Sequence, residues 1–308
     1  MKFFKYIIIA FASMAALVSC NKHEQMYKCE QVDASEKALI QIYRMIPEAS
    51  TTAGRVYSIT IDDQVLWQED YTYLGARGMV PSQSRHYIID PGTHHMKWFL
   101  GDGTLFYESD FTVGAGMQDL FVTDLAAAPI VIDNTAEYPS DVTDITSTWA
   151  YIRLVNLMYE DENKTIPDYK LQYYYQDPTD LEWYPVSDPV GFGEAAEWGR
   201  VHVDQFAPQR SGQSGSGSSR NADDNRVGYA VSSGSCTIYY KAKMIGADGS
   251  DLGWMTYTFK GEGSAESEYK DYWTAYVGRK SIHVMRGCRI SSTNNNTSGA
   301  YISQTWKY

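Results

Sequence analysis

Cys20 is the residue whose position in this chain most directly predicts a covalent reaction. It follows Leu17-Val18-Ser19 at the end of an apolar run over residues 6–18, which two lysines precede. A short apolar run with a basic start and small residues near its end is typical of an export signal. The Leu-x-Ser-Cys ending resembles the bacterial lipobox, in which the cysteine sulfur is acylated and the preceding segment is removed. We therefore predict a signal peptide over 1–19 and lipidation at Cys20.

The alternative for this segment is an ordinary cleaved signal with an incidental cysteine. On a lipidated Cys20, each buried methylene contributes about 0.8 kcal/mol, so two or three acyl chains attach the protein permanently to a membrane. Residues 20–35 are polar and unpatterned, which indicates a tether below the folded part. We expect a protein of the cell envelope, anchored by lipid to the outer membrane. Whether it faces the periplasm or the outside stays open.

The charge balance bears on the class of partner. The chain has 38 acidic and 26 basic residues and a formal net charge of −12, which becomes −14 when residues 1–19 and their two lysines are removed. Nucleic acid binding needs clustered Lys and Arg against the phosphates, so an acidic chain argues against it. The expected partners are therefore a membrane, through the lipid anchor, and a glycan or protein ligand. No cofactor is predicted.

Aromatic residues are the best candidates for a binding role. The chain has 25 Tyr and 8 Trp, with neighbours at 173–175 and at 183–184. Neighbours on a strand point to opposite faces, so one ring fills the core and the next is exposed or covered. We predict Tyr174, Trp183 and Tyr184 as ligand-facing aromatics, because exposed rings stack on sugars or dock a partner. The alternative is cross-strand aromatic packing and burial between domains.

Motifs for catalysis and metal binding are missing from the sequence. It contains no nucleophile elbow, phosphate-binding glycine loop or His-Glu-x-x-His. His94 and His95 are adjacent, so on a strand their side chains point to opposite faces and do not share a metal. The acidic run at 160–163 lacks the spacing of a calcium loop. We therefore predict no catalytic residues, no metal site and a non-enzymatic protein.

Three cysteines remain after Cys20: Cys29, Cys236 and Cys288. Because exported proteins can form disulfides, Cys236 and Cys288 are a possible pair within one domain. The alternative, in which they are plain thiols, stays open. No Cys-x-x-Cys occurs, so a zinc knuckle and a thioredoxin-type redox centre are not supported.

An internal repeat defines the elements that must position these residues. Residues 38–46 align with 150–158, at an offset of 112, and 57–61 align with 169–173 at the same offset. All four segments alternate apolar and polar residues and are rich in β-branched and aromatic types, which predicts strands. At this offset the first copy has Asp62 in place of Tyr174, which is why the aromatics of the second copy are the favoured site.

The next block repeats at a longer offset. Residues 87–93 resemble 229–235, which lie 142 positions later. In the first copy Asp90-Pro91-Gly92-Thr93 predicts a turn, because proline presets its own φ and glycine tolerates a positive one. A strand follows each turn and ends at Gly101-Asp102-Gly103 or Asp248-Gly249-Ser250. Further strands are predicted at Phe106–Val113, Leu120–Leu125, Met255–Lys260 and Tyr272–Val277.

The change of offset places an insertion of about 30 residues in the second copy. The Ser/Gly-rich tract of this insertion predicts a flexible loop near 186–226.

Two copies of short strands with frequent turns predict an all-β chain of two tandem antiparallel Ig-like β-sandwich domains. The first is expected over 36–138 and the second over 148–308, with a polar linker between them.

This layout resembles the extracellular bacterial family called domain of unknown function 4397, in two tandem copies over most of 36–308. The family's V-R-x-V-N strand is matched by residues 152–156 and its V-D-V-Y strand by 169–173. Its Y-x-x-x-P-A-G turn is matched by 87–94, and its closing Y-T-x-x-x-V-G strand by 273–278. The resemblance implies an Ig-like sandwich on a lipoprotein of the Bacteroidota type. It implies no catalytic residues.

These observations favour a non-enzymatic, lipid-anchored envelope protein that presents two Ig-like domains for binding or adhesion. The alternative is a structural or accessory subunit, either of a fimbria or of an outer-membrane glycan-uptake complex. An unpaired sheet edge or a missing strand would favour the fimbrial subunit, since such subunits exchange strands between chains.

Overall fold

The structure is a computed structural model that describes residues 33, 35–47, 54–82, 85–135, 148–203, 230–232, 235–292 and 298–307. These residues form strands, turns and loops, and the predicted all-β class is confirmed. The same part of the chain contains no helix that is long and apolar enough to cross a membrane. Cys20, Cys29 and the segment 204–229, which holds the Ser/Gly-rich tract, lie outside the described residues.

Within the described residues, the first half of the chain forms nine strands. They are β1 Ala38–Arg44, β2 Val56–Ile61, β3 Gln64–Gln68, β4 Met79–Val80, β5 Tyr87–Ile89, β6 Gly92–Leu100, β7 Leu105–Val113, β8 Gly116–Val122 and β9 Ile130–Asp133. One sheet has the order β4-β1-β8-β9, with β5 also paired to β1, and the other has the order β3-β2-β6-β7. The two sheets enclose one apolar core, so this half is a β-sandwich.

The second half repeats this plan, with thirteen strands in the part that the structure describes. They are β10 Trp149–Tyr159, β11 Lys170–Gln176, β12 Trp183–Pro185, β13 Glu194–Ala195, β14 Gly199–His202, β15 Ala230–Ser232, β16 Ser235–Ile245, β17 Asp251–Trp254, β18 Thr256–Tyr257, β19 Ser267–Glu268, β20 Asp271–Tyr276, β21 Lys280–Cys288 and β22 Tyr301–Lys307. One sheet has the order β13-β10-β21-β22 with β14 on β10, and the other has the order β12-β11-β16-β15 with β17 and β20 on β16. β18 and β19 form a separate ribbon.

The aligned segments of the repeat occupy matching places in the two sandwiches. β1 pairs in parallel with β8, and β10 pairs in parallel with β21. β2 pairs antiparallel with β6, as β11 does with β16. Most pairings between these strands are antiparallel, and the two parallel strand pairs join the first strand of each copy to a late strand of the same copy. In the first copy the chain bends at Pro91 between β5 and β6, where a turn was predicted, and Gly92 has a φ of 144°.

β1 and β10 are buried on both faces. In β10, even-numbered residues such as Ile152 and Leu154 point into the core of the second sandwich. The odd-numbered Val155 and Leu157 join a third apolar cluster with Tyr43 of β1. This cluster also contains Met45, Phe121, Ile132, Ile282 and Val284. The sheets that contain β1 and β10, here called the inner sheets, therefore pack against each other, and those that contain β2 and β11 are the outer sheets.

The start of the predicted flexible insertion is ordered, which corrects the expectation for its first part. Residues 186–203 include β13 and β14, both of which pair antiparallel with β10. Val186, Val190 and Val201 are buried in the second core. The spaced valines of this stretch fill space between the sheets of the second sandwich, so it belongs to the fold and not to a loop.

Candidate binding site

Tyr174 and Trp183 lie on the face of the outer sheet that points away from the second core. In β11, Leu171, Tyr173 and Tyr175 are buried, while Tyr174 between them is half-buried. Trp183 of β12 pairs with Gln176, two residues beyond Tyr174 on β11, so it shares the face of Tyr174. The alternation of β11 thus separates the core tyrosines from an outward one.

A second tryptophan and two lysines complete this surface, and we call the five side chains Tyr174, Trp183, Trp254, Lys241 and Lys243 the aromatic–lysine cluster. The ring of Trp254 lies 5.2 Å from that of Tyr174, nearly perpendicular to it, and 5.8 Å from that of Trp183. Four strands contribute to the cluster. The register explains it, because Lys241 lies opposite Tyr174 and Lys243 lies opposite Trp254.

The lysines pack against the rings of this cluster. The Lys241 Nζ lies 4.7 Å from the ring centre of Trp183 and 5.0 Å from that of Trp254. The Lys243 Nζ lies 5.1 Å from the ring centre of Trp254 and 5.4 Å from that of Tyr174. Such cation–π contacts contribute about 0.5–1 kcal/mol each at exposed sites. The ammonium groups therefore help to hold the rings in fixed positions before any ligand arrives.

Two carboxylates neutralise the lysines. Lys241 forms an ion pair with Glu268, and Lys243 Nζ donates to Asp251 at 2.6 Å. The hydrogen bond to Asp251 raises the pKa of Lys243, and the same bond lowers the pKa of Asp251. The cluster is thus an almost neutral surface of half-buried rings. Its chemistry suits an apolar sugar face or an aromatic or aliphatic side chain rather than a strongly charged group.

Tyr184, which was predicted with Tyr174 and Trp183 as a ligand-facing aromatic, does not belong to this cluster. It pairs with Tyr175 across β11 and β12, so its side chain leaves the opposite face of the sheet. Its ring lies 6.0 Å from that of Tyr175, and its hydroxyl donates to Asp180 at 2.7 Å. Tyr184 is still 41% exposed because it lies at the sheet edge.

The matching surface of the first sandwich is polar. Asp62, the counterpart of Tyr174, accepts hydrogen bonds from the backbone N–H of His95 at 2.8 Å and from the His94 ring at 2.6 Å. Both bonds lower the pKa of Asp62. The His94 ring packs on Phe111, whereas the His95 ring bonds to Asp110. The two histidine rings therefore have separate partners, as their adjacent positions on a strand predict.

Cys236 and Cys288 are both buried and are not joined by a disulfide, so the alternative of two thiols describes the structure. Cys236 lies in β16 of the outer sheet and Cys288 at the end of β21 in the inner sheet. Burial raises the pKa of the Cys288 thiol to about 12, which makes it a poor nucleophile. Within the described part of the chain, no three His, Cys, Asp or Glu side chains are grouped to hold a metal ion.

Trp254, Lys241 and Lys243 are not among the residues predicted from the sequence. The turn at 248–250 was predicted, and Trp254 follows it, but the strand was expected to begin only at residue 255. A signal was available in the alternation of buried Tyr240 and Ala242 with half-buried Lys241 and Lys243 in β16. Only the pairing of β16 with its neighbours shows that these lysines lie beside the rings.

No protein-family model matches this chain, and no curated protein matches it. A solved structure to which it is similar is a proposed cell adhesion protein from Parabacteroides distasonis, at 10% identity and a TM-score of 0.23, with 88% of this chain and 98% of that chain covered. Another is a proposed adhesin from Bacteroides ovatus, at 10% identity and a TM-score of 0.18, with 88% of this chain and 96% of that chain covered. TM-scores this low carry no argument, so the site rests on its own geometry.

Proposed function

We propose that this protein is a non-enzymatic, lipid-anchored protein of the bacterial outer membrane that presents two β-sandwiches for binding or adhesion. The observation that carries the proposal is the aromatic–lysine cluster, in which rings from three strands converge on the solvent side of a sheet. Rings in the core stabilise the fold, whereas half-buried rings on an outer face keep apolar area that a ligand can cover. The cluster provides such area on a rigid support.

The proposed ligand is a glycan or a protein. Each ring offers a large flat surface at a small cost in conformational entropy, and the cation–π contacts reduce that cost further. The ion pairs with Glu268 and Asp251 leave the surface without a strong net field. Recognition there therefore depends on ring contacts, and we expect it to be insensitive to ionic strength.

Binding is tested with the purified protein on a glycan array and on immobilised mucin, fibronectin and collagen. We expect at least one of these surfaces to bind, and Trp183→Ala and Trp254→Ala each to weaken that binding by about tenfold, as loss of an anchoring ring does. Ile166→Ala, which removes a 61% exposed side chain of the same sandwich outside the cluster, is the matched control. Equal binding by wild type and both Trp variants, with unchanged melting temperatures, would contradict the proposed site.

The anchor is tested separately by growing cells with a clickable fatty acid. Wild-type protein and Cys29→Ala are expected to carry the label, and Cys20→Ala is expected to lose it, because only Cys20 follows the lipobox-like residues. Protease added to intact cells then reports whether the sandwiches face outward. Label on Cys20→Ala at the wild-type level would exclude acylation of Cys20.

A further inference from the structure

A groove on the outer sheet of the first sandwich is a second place where this protein can hold a ligand. Its volume is about 580 Å³, within the range of small-molecule sites. Irregular pairing surrounds it, since the register shifts between Val56 and Ser58 against β6 and between Trp98 and Phe99 against β7. β-bulges of this kind re-aim side chains and are frequent beside functional sites.

Aromatic rings form the apolar part of this groove. Tyr57 and Phe99, both half-buried, line it from β2 and β6. A Cβ atom on Gly101 would lie 3.2 Å from two ring carbons of Tyr57, so the ring rests against the glycine backbone. Its other ring neighbour is Tyr73, at 6.0 Å. The absence of a side chain at position 101 lets the Tyr57 ring lie close to the backbone there.

Hydrogen-bonding side chains form the rest of the lining. They are Ser58, Gln68, Glu69 and Asp70. The last three are exposed, and none of the four makes a side-chain hydrogen bond or an ion pair with any residue of the described chain. The polar groups of Gln68, Glu69 and Asp70 are therefore open to solvent and available to a ligand. Among the described residues that line the groove, none is a Lys or an Arg.

We propose that this groove binds a neutral saccharide. A sugar ring has an apolar C–H face, which stacks on an aromatic ring, and a hydroxyl edge, which needs planar acceptors and donors. Tyr57 and Phe99 supply the aromatic rings for the C–H face. Gln68, Glu69 and Asp70 supply the hydrogen-bonding groups for the hydroxyls, and the bonds to the two carboxylates are charge-assisted. The same carboxylates repel uronates and sulfated sugars, so acidic saccharides are excluded.

This proposal goes beyond the binding function given above, because it concerns another sandwich and a different set of residues. It remains testable if the aromatic–lysine cluster has no ligand. The competing occupant is a basic peptide, which would use Glu69 and Asp70 as ion-pair partners. Salt separates the two, since exposed ion pairs weaken with ionic strength and bonds to neutral hydroxyls do not.

The test is calorimetric titration of the purified full chain with cellohexaose, xylohexaose, mannohexaose and maltohexaose, beside hexagalacturonate and hexalysine. We expect a neutral hexasaccharide to bind with an affinity that changes less than about twofold between low and high salt. Tyr57→Ala should weaken it about tenfold, equivalent to about 1.4 kcal/mol. Glu69→Gln and Asp70→Asn, at exposed positions where the fold does not depend on the side chain, should weaken it about threefold or more, as loss of a charge-assisted hydrogen bond does.

Val65→Ala, which truncates a 61% exposed side chain of β3 that does not line the groove, serves as the matched control and should leave this affinity unchanged. The proposal is overturned when none of the four neutral sugars binds. It is equally overturned when one binds but Tyr57→Ala, Glu69→Gln and Asp70→Asn have no effect, or when Val65→Ala abolishes the binding. Tight, salt-sensitive binding of hexalysine in place of the sugars would assign the groove to a basic peptide.

Discussion

His283 shows at the scale of one residue how this fold treats a polar side chain. Its ring is fully buried in the second sandwich, with Nδ1 2.9 Å from the Tyr173 hydroxyl and Nε2 3.0 Å from the Gln304 amide nitrogen. The rings of Tyr173 and Tyr240 lie edge-on to it. Burial lowers the pKa of His283 to about 3, so the ring is neutral in the folded protein at neutral pH.

This burial predicts a loss of stability in mild acid. In the unfolded chain His283 has an ordinary pKa near 6.5, so between that pH and about 3 the unfolded state takes up a proton that the folded state does not. The contribution of neutral His283 is complete above pH 6.5 and is lost as the pH falls towards 3, by up to about 1.4 kcal/mol per pH unit. Urea unfolding between pH 7 and 4.5 measures it.

The variant His283→Asn keeps hydrogen-bonding capacity but does not titrate, so its free energy of unfolding should fall less steeply with acid than that of the wild type. Ile166→Ala, which removes a 61% exposed side chain that does not titrate, is the control and should follow the wild-type slope. Parallel pH profiles for wild type and His283→Asn would show that His283 is not the group that titrates on unfolding.

At the scale of one element, β10 is a strand whose apolar side chains are buried on both faces. Leu154 points into the second core and Leu157 into the cluster between the inner sheets, and both are at most 1% exposed. Parallel strands buried on both faces depend on apolar contacts on each side. The alternation of β10 thus separates two apolar environments, whereas that of an ordinary sandwich strand separates core from water.

We therefore predict that Leu157→Ala destabilises the protein about as much as Leu154→Ala, by about 2–5 kcal/mol each, the range for truncating a buried leucine. Leu105→Ala, which truncates a 44% exposed leucine of β7, is the matched control and should cost about 0.5 kcal/mol or less. Chemical denaturation of the three variants gives the comparison. A Leu157→Ala effect as small as that of the control would mean that the inner sheets do not pack in solution.

At the scale of the whole molecule, the two sandwiches are joined by the apolar cluster between their inner sheets, here called the shared core. Tyr43 stacks on Phe121 at 4.6 Å within the cluster between the inner sheets. Polar bonds lie beside these apolar contacts, because Arg153 Nη1 of the second sandwich donates to the Asn134 side chain and to the Asp133 carbonyl oxygen, each at 2.7 Å. Residues 34–308 accordingly form one compact unit.

This shared core predicts cooperative unfolding of the pair. The wild type should show one calorimetric transition whose calorimetric and van't Hoff enthalpies agree, although it contains two apolar cores. Ile132→Asp places a charge in the cluster without entering either sandwich core, so it should separate the unfolding into two transitions. Ile88→Asp is the control, because Ile88 of the same inner sheet is 50% exposed, and this variant should unfold in a single transition. Two transitions in the wild type would contradict the shared core.

Local pattern was enough to predict much of this fold. The alignment of 38–46 with 150–158 correctly predicted β1 and β10, and that of 57–61 with 169–173 predicted β2 and β11. Alternation of apolar residues and the residue types of turns depend on only a few neighbouring positions, so both can be recognised in a single sequence. β21 and β22 were not assigned, although they complete the inner sheet of the second sandwich.

The sequence by itself determined the strand class, the duplication and the expectation of an acylated Cys20. The tertiary structure decided which side of each strand meets water, a core or the other sandwich. It placed Trp254 beside Trp183 and Tyr174, turned Tyr184 to the opposite face and left Cys236 and Cys288 as separate thiols. The physical reason is that alternation distinguishes the two faces of a strand but does not identify what packs against each face. That depends on pairings between residues far apart in the chain.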